Sequence, residues 1–375
     1  MNQSHWDTLP AHYPITSKGI YLKNASISAN HAKVIKAMNE ATTTMGEAGI
    51  CDEQAFRNRY IKSHESLAGF LDVPLANVAL TSSTSYNMNI FAMMLRGDTE
   101  QNIVTQSDEF PSTVIPFYHQ GFKIKKLDTH KGAFNPLDLL DLIDDKTSAV
   151  VLSTIVSTTG FRLELTELSK ELHTRGIPLI LNATQSLGFF DFDLNELKVA
   201  AMSASTHKSV GSFVGMAIAY MSDEFKKVGR YPLMGWSSVA DPAALSIEAQ
   251  EPRIDSAAIE LGSMPFSLMA ALDAAIEIHQ SFKLDQKSAH LIRLTKKLRQ
   301  GLKELNIDVL GSDIETHLSS ITTFHVPEAL ELKEQLQERN IFVDLRRGHI
   351  RTSVGLYTSS EDVEEFLKAL KVLTQ

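Results

Sequence analysis

Between Val78 and Met221 the chain alternates short apolar runs with segments of helical spacing, and this alternation constrains the fold more than any other feature. Strands that alternate with helices are typical of a mainly parallel sheet with helices on both faces, a doubly wound α/β fold. Two long helical patterns follow, and then strand patterns separated by further helical patterns. We therefore predict three parts: an N-terminal arm (1–18), a large domain built on the parallel sheet (19–264), and a smaller α/β C-terminal domain (265–375).

Chemically distinctive side chains stand at the ends of the predicted strands. Those at or just after a strand end are Ser83, Phe110, Ser157, Asn182 and Lys208. Because ligands of doubly wound sheets bind beyond the carboxyl ends of the strands, we expect these residues to share one site. Ser83, Thr84 and Ser85 also precede a predicted helix over 87–96, and hydroxyl groups at a helix N-terminus are typical of an anion site. The alternative for this run is an ordinary helix cap.

Lys208 lies in a polar turn of small residues between two apolar runs, Val199–Met202 and Val214–Met221. The pattern predicts a strand, a tight turn and a second strand, which would hold an amine at the edge of the sheet. Burial or a neighbouring positive charge can lower the pKa of such a lysine enough for it to attack an aldehyde. A solvated turn lysine is the alternative.

Two motifs resemble those of a known family. An apolar strand ends in Asn182 with Gln185 three residues later, and Ser-Thr-His-Lys follows at 205–208. This order resembles the pattern of an apolar strand, Asp-x-x-Gln, and then Ser-x-His-Lys. The pattern is typical of the class V aminotransferase group of fold-type I pyridoxal phosphate enzymes, which includes cysteine desulfurases, isopenicillin N epimerase-like proteins and kynureninase-like enzymes. The resemblance extends from Gly19 to the C-terminus.

The resemblance implies a cofactor, a substrate class and residue roles. Lys208 would hold pyridoxal 5'-phosphate covalently and move the α-proton of an amino acid as general base and acid. Phe110 would stack on the cofactor ring, where many members have histidine. The implied cofactor-binding residues are Ser83, Thr84, Ser85, Phe110, Asn182, Gln185, Ser205, His207, Lys208 and, from the partner of a homodimer with shared active sites, Ser263. The implied substrate-binding residues are Asn24, Ser157 and Arg351, with Arg351 on the α-carboxylate. Arg346, Arg347 and His349 are predicted to face solvent.

Asn182 departs from the family pattern, which has aspartate at this position. A carboxylate keeps the pyridine nitrogen protonated and deepens the electron sink, whereas an amide carries no charge with which to do so. We therefore expect the ring nitrogen to be largely unprotonated in this protein.

Composition limits the possible partners and compartments. The 375 residues carry a net charge of −9, which gives no reason to expect nucleic acid or an anionic membrane as a partner. No run approaches the length of a membrane span, and the start lacks the basic and apolar regions of a signal peptide. Cys51 is the only cysteine, which fits a reducing compartment, and we predict a cytoplasmic protein without a metal site.

Several functions fit these residues. The first is aminotransfer between an amino acid and a 2-oxo acid, and the second is β-elimination or epimerisation with the same cofactor. Cysteine desulfurase activity is disfavoured, because it needs a mobile cysteine in the C-terminal half of the chain and Cys51 is far from there. A non-catalytic protein of the same fold is the alternative from another class.

Overall fold

The structure is a computed structural model that describes residues 4–48, 53–95, 100–229, 231–248 and 250–374. Its α-helices are α1 (Ser4–Thr8), α2 (Ala32–Ala48), α3 (Glu53–Leu71), α4 (Thr84–Leu95), α5 (Pro111–His119), α6 (Thr166–Thr174), α7 (Phe266–Gln280), α8 (Leu284–Glu304), α9 (Ala329–Glu338) and α10 (Ser360–Thr374). Its strands are β1 (Ile20–Tyr21), β2 (Val78–Thr81), β3 (Asn102–Gln106), β4 (Lys123–Leu127), β5 (Thr147–Ser153), β6 (Leu179–Asn182), β7 (Ala201–Ser205), β8 (Ala217–Met221), β9 (Ile321–Phe324), β10 (Ile341–Phe342), β11 (Asp344–Arg346) and β12 (His349–Ser353).

Seven strands form the central sheet, in the order β2-β8-β7-β6-β5-β3-β4. Pairing is parallel from β7 to β4, and β8 alone runs antiparallel to both of its neighbours. β7 pairs antiparallel with β8 across an eleven-residue connection, 206–216, so the predicted order of strand, turn and strand around Lys208 is present but the turn is longer than predicted. The predicted mainly parallel α/β fold is confirmed.

Alternate residues of the sheet face two different apolar cores. In β5, for example, Val150 and Leu152 pack in the core that also contains α7 and α8, whereas Ala149 and Val151 pack against α4. All of these side chains are fully buried. Strands that are covered on both faces become near-continuous apolar runs, which is why the sequence signals this sheet so clearly.

The segment before β1 differs from the predicted arm. Residues 4–17 form α1 and two short 3-10 turns, and Leu9 and Tyr13 are buried. Trp6 stacks on His290, with ring centroids 4.2 Å apart. Trp6, Leu9 and Tyr13 are scattered among polar residues, so the composition of the segment did not indicate that it packs against the rest of the protein.

A second sheet lies in the C-terminal part of the chain, where β12 pairs antiparallel with both β11 and β9. The sequence pattern predicts no strand between Ile341–Leu345 and the final helix, but His349–Ser353 form β12. The sequence pattern missed this strand because Arg351, a charged residue, interrupts the apolar pattern. Arg351 is nevertheless buried, since it forms an ion pair. β1 pairs with β10, so Ile20 and Tyr21 join the C-terminal strands, and the domain division stays a prediction.

No helix in the part of the chain that the structure describes has both the length and the apolar character needed to cross a membrane.

Candidate active site

Lys208 stands in the turn between β7 and β8, where its carbonyl oxygen accepts a hydrogen bond from the Gly211 amide at 2.9 Å. Gly211 has φ of +76°, a conformation that glycine adopts readily, and this closes the turn. The Lys208 ammonium nitrogen lies 5.1 Å from the centre of the Phe110 ring. The site around it is lined by Thr84, Phe110, Ser112, Ser153, Ile155, Ser157, Asn182, Thr184, Gln185 and Ser205. The predicted strand-end residues Phe110, Ser157, Asn182 and Lys208 therefore do meet in one site, with Thr84, the residue after Ser83, beside them.

The Lys208 amine is electrostatically unusual. Burial and, to a smaller extent, the positive charges of Arg351 and Arg346 lower its pKa to about 8, with Asp344 acting weakly in the opposite direction. A large fraction of the amine is thus neutral at mildly basic pH, which is the form that attacks a carbonyl carbon. These contacts favour the predicted nucleophilic lysine over a solvated one.

Hydroxyl groups cluster where α4 begins. The Thr84 hydroxyl lies 2.9 Å from that of Ser205 and 3.4 Å from that of Thr184, and the Ser205 amide donates to the Thr184 hydroxyl. Ser83 caps the helix, because its hydroxyl accepts from the Tyr86 amide at 3.1 Å. Helix α4 thus begins at Thr84, three residues before the predicted start, and Ser85 is exposed on its first turn; Arg96, in the predicted helix end, lies outside the described residues.

His207 precedes Lys208 in the same turn. Its Nδ1 is buried without a hydrogen-bond partner among the described residues, and its backbone carbonyl accepts from the Ser28 amide at 2.9 Å. Burial and the charge of Lys208 lower the pKa of the imidazole to about 4, so the ring is neutral near pH 7. A buried polar atom without a partner indicates a missing ligand atom at this position.

The amides of Asn182 and Gln185 are held in place by neighbours. Asn182 donates from Nδ2 to the Thr113 hydroxyl at 2.9 Å and accepts at Oδ1 from the Thr184 amide at 3.1 Å. Gln185 donates to the Ala25 carbonyl oxygen at 2.9 Å. Both amides are buried and neutral, so the end of β6 brings no negative charge to the site.

Glu109 is a buried carboxyl group directly behind this site. It accepts from the Ser153 amide at 2.7 Å and the Phe110 amide at 2.7 Å, and it also bonds the Ser153 hydroxyl. Burial raises its pKa in spite of these hydrogen bonds. Glu109 thereby ties the loop that carries Phe110 to the end of β5.

Arg351 lies on β12 and is almost completely buried. It forms an ion pair with Asp344 at 2.8 Å, and it donates to the Ser157 carbonyl oxygen at 2.7 Å and to the Ser26 hydroxyl at 3.0 Å. Its Nε has no partner among the described residues. One donor of a buried guanidinium thus remains free beside Ser157 and Lys208.

The predicted residues that do not line the Lys208 pocket are Asn24, Ser83, Ser85, His207, Ser263 and Arg351. Asn24 accepts hydrogen bonds from the Ser28 and Tyr357 hydroxyl groups, at 2.8 and 3.4 Å, and lines a separate small cavity. Ser263 is exposed between α7 and the 3-10 turn at 256–259. The roles of Asn24 and Ser263 in substrate and partner-site binding stay predictions.

Sequence reasoning missed the residues that support these side chains: Glu109, Thr113, Ser153, Thr184 and Arg346. Glu109 and Ser153 stand at strand ends, so the rule that selected Phe110 could have found them. Thr113 and Thr184 act through a neighbour on another strand or helix, and no signal within the sequence identifies such pairs.

The residues present fit pyridoxal phosphate. A lysine with a lowered pKa lies beside an aromatic ring, the hydroxyl groups of Thr84 and Ser205 line the same pocket at a helix N-terminus, and His207 has an unpartnered ring nitrogen. The lysine and the aromatic ring suit the aldehyde and the ring of the cofactor, and the other groups suit a phosphate.

Comparison with known proteins gives a consistent result. The family described as "Aminotransferase class-V" matches residues 20–366. A probable cysteine desulfurase of Pyrococcus abyssi is 26% identical over 397 aligned positions, which cover 96% of this chain and 96% of that protein. A cysteine desulfurase of Thermococcus onnurineus NA1 superposes with a TM-score of 0.91 at 22% identity, covering 98% of both chains.

A third protein of the same fold is the cystine C–S lyase C-DES. Its complex with cysteine persulfide superposes with a TM-score of 0.87 at 18% identity, covering 96% of this chain and 99% of that chain. Another structure of C-DES, a lysine-to-alanine variant, contains glycine covalently linked to the pyridoxal phosphate cofactor.

Proposed function

Because the chain belongs to the class-V aminotransferase family of pyridoxal phosphate enzymes, we propose that it transfers an amino group from an amino acid to a 2-oxo acid. The proposal rests on two groups that lie near each other: the amine of Lys208 and the buried Nε of Arg351, which has no hydrogen-bond partner among the described residues. Together they offer an amino acid a proton-moving amine and a receptor for its α-carboxylate.

In this proposal the chain's own residues divide the work. Bound pyridoxal phosphate supplies the electron sink that lets an amino acid lose its α-proton. Thr84, Ser205 and His207 would hold the phosphate, and Phe110 would cover the ring. Lys208 would take the α-proton of the donor at its amine nitrogen and later deliver a proton to the α-carbon of the acceptor, which its pKa of about 8 permits near neutral pH.

Cysteine desulfurase activity remains disfavoured in the proposal, although relatives are named for it. Cys51 is the only cysteine of the chain and lies outside the described residues. The hairpin of β11 and β12 beside the site contains Arg346, Arg347 and His349 but no cysteine. This hairpin therefore offers no thiolate that could accept the sulfur atom of a cysteine substrate and become a persulfide.

A carbon–sulfur β-elimination is the second candidate, and the likeness to C-DES and to the desulfurases supports it. Such a reaction needs the same α-proton removal by Lys208 but no protein thiol. The two reactions differ in whether a 2-oxo acid is required as acceptor.

A homodimer with shared sites is part of the proposal. Trp236, Leu245, Ile247 and Ile254 expose between 57% and 103% of their side-chain surface, and such an exposed apolar group is typical of a protein interface. Ser263 follows this segment and is itself exposed. We expect it to reach the phosphate site of the partner subunit.

Product analysis tests the proposed reaction. The purified holoenzyme is incubated with an amino acid, with and without a 2-oxo acid. Aminotransfer predicts one new amino acid for each donor consumed and no reaction beyond one enzyme equivalent without the acceptor. Sustained release of ammonia and pyruvate without an acceptor would instead establish the elimination.

A further inference from the structure

We propose that Arg346 binds a second acidic group of the substrate, so that the amino donor is a dicarboxylic amino acid. This inference rests on the proposed function and names the substrate class of the same site. Arg351 would receive the α-carboxylate, and Arg346 would receive the side-chain carboxylate.

Arg346 and Arg351 are brought together by the register of the hairpin. Arg346 pairs with His349 across β11 and β12, and Asp344 pairs with Arg351. Both guanidinium groups donate to the same oxygen, the Ser26 hydroxyl, at 2.7 Å from Arg346 and 3.0 Å from Arg351. The two groups are therefore separated by little more than one oxygen atom, a span that suits the two carboxylates of a short diacid.

Arg346 has no carboxylate in ion-pair contact, and it shares the attraction of Asp344 with Arg351, which contacts that carboxylate directly. Asp344 is engaged by Arg351 at 2.8 Å, with Lys23 further away at 3.9 Å, and the Ser26 hydroxyl donates to the same carboxylate. Among the described residues no carboxylate forms an ion pair with Arg346, whose remaining partner is the Leu345 carbonyl oxygen. The site thus holds an excess of positive charge in a protein whose net charge is −9.

A comparison with Arg347, the next residue, shows that the lack of an ion pair close to Lys208 is specific to Arg346. Arg347 follows directly in the hairpin turn, but it forms an ion pair with Asp108. Arg347 also has no part in lowering the pKa of Lys208, whereas Arg346 does. Both arginines are solvent-exposed, so exposure does not distinguish them, and only Arg346 is both unpaired and close to the reactive amine.

Ligand binding tests the inference independently of turnover. Succinate and butanoate, which differ by one carboxylate, are titrated into the holoenzyme while the cofactor absorbance is followed. We expect succinate to bind at least about tenfold more tightly than butanoate, as a charge-assisted, two-point contact implies. Arg346→Gln should abolish this preference, and Arg347→Gln, which removes the same charge one residue away, should keep it.

A kinetic comparison gives the second readout. The ratio of kcat/KM for glutamate over glutamine, and for aspartate over asparagine, should fall in Arg346→Gln and be retained in Arg347→Gln. Taking the ratio cancels any effect of the lost charge on Lys208 itself. Equal binding of succinate and butanoate by the wild-type protein, or equal loss in the two variants, would overturn the inference. If succinate is preferred but no amino acid reacts, the proposed function fails and the anion site stands.

Discussion

Asn182 occupies the position at the end of β6 where the family pattern has aspartate, and its amide donates to the Thr113 hydroxyl and accepts from the Thr184 amide. No charged atom of this residue therefore faces the cofactor ring. Glu109 is the nearby buried acid, but its oxygens are occupied by Ser153 and Phe110. Nothing on these residues supplies the charge that would keep a pyridine nitrogen protonated.

Replacing Asn182 by aspartate should consequently raise the rate of reaction with a good amino donor. The fold should tolerate the change, because the Thr113 hydroxyl can turn to donate to the new carboxylate. The nitrogen-15 resonance of labelled cofactor gives a readout that is independent of activity, and it should move toward the protonated form in the variant. An unchanged resonance and no gain in rate would contradict this role of Asn182.

The lowered pKa of Lys208 predicts how the apoprotein takes up its cofactor. The neutral amine is the reactive form, so the rate of reconstitution should rise with pH and level off above about 8. Arg346→Gln removes one of the positive charges that lower this pKa, so its inflection should lie at higher pH. Stopped-flow absorbance measures both curves, and an inflection near the pKa of an ordinary lysine would contradict the electrostatic account.

At the scale of single residues, the sequence predicted side chains whose position depends on a strand end. Phe110 and Lys208 were assigned from the resemblance to the family, and their positions after predicted strands support the same assignment. Arg346 was instead expected only to face solvent, which it does, while its proximity to Arg351 depends on the hairpin register. A local pattern contains no information about which side chains two strands bring together.

At the scale of elements, periodic patterns predicted well where burial dictates the residue types. The apolar runs predicted as strands on both sides of Lys208 correspond to β7 and β8, and the helix predicted over 87–96 corresponds to α4, which begins at Thr84. Strand β12 was missed because Arg351 is buried by its ion pair with Asp344 rather than by an apolar side chain. The sequence predicted that Ser157 follows the strand β5, but it did not predict that this loop packs against the C-terminal sheet.

Gly160 in that loop connects the two sheets. It has φ of +81°, and a Cβ atom there would lie 2.3 Å from the Ile321 carbonyl oxygen of β9. Gly160→Ala should therefore lower the melting temperature markedly. Gly176→Ala is the matched control, since φ is +67° but nothing lies within 4 Å of its Cβ position, so only the backbone cost of about 1–2 kcal/mol applies. Equal melting temperatures for the two variants would show that the contact with β9 is unimportant.

At the scale of the whole molecule, the sequence predicted the α/β fold and the family, because alternating strands and helices leave few arrangements of the chain. The way in which two subunits pack depends on surface residues. The spacing of these residues in the sequence does not follow the period of a helix or a strand. The exposed Trp236, Ile247 and Ile254 became an interface candidate only when the structure placed them on the surface.

Hybrid dimers test whether the sites are shared. Lys208→Ala removes the amine of its own site, and Ser263→Glu should repel the phosphate in the partner's site. Each homodimer is expected to be inactive or strongly impaired, but in the hybrid one site has an intact Lys208 and receives an intact Ser263 from the other subunit. Mixing the two variants under subunit-exchange conditions should restore activity, and a mixture as inactive as its components would contradict a shared site.

The most direct test asks which lysine carries the cofactor. The holoenzyme is reduced with borohydride, which fixes the pyridoxyl group on its lysine, and the peptides are then mapped by mass spectrometry. Lys287 is a stringent internal control, since burial lowers its pKa to about 8 as well, but it contacts His279 away from the Lys208 pocket. The account predicts the added mass on Lys208 and none on Lys287, whereas an unlabelled Lys208 in freshly purified protein would contradict it.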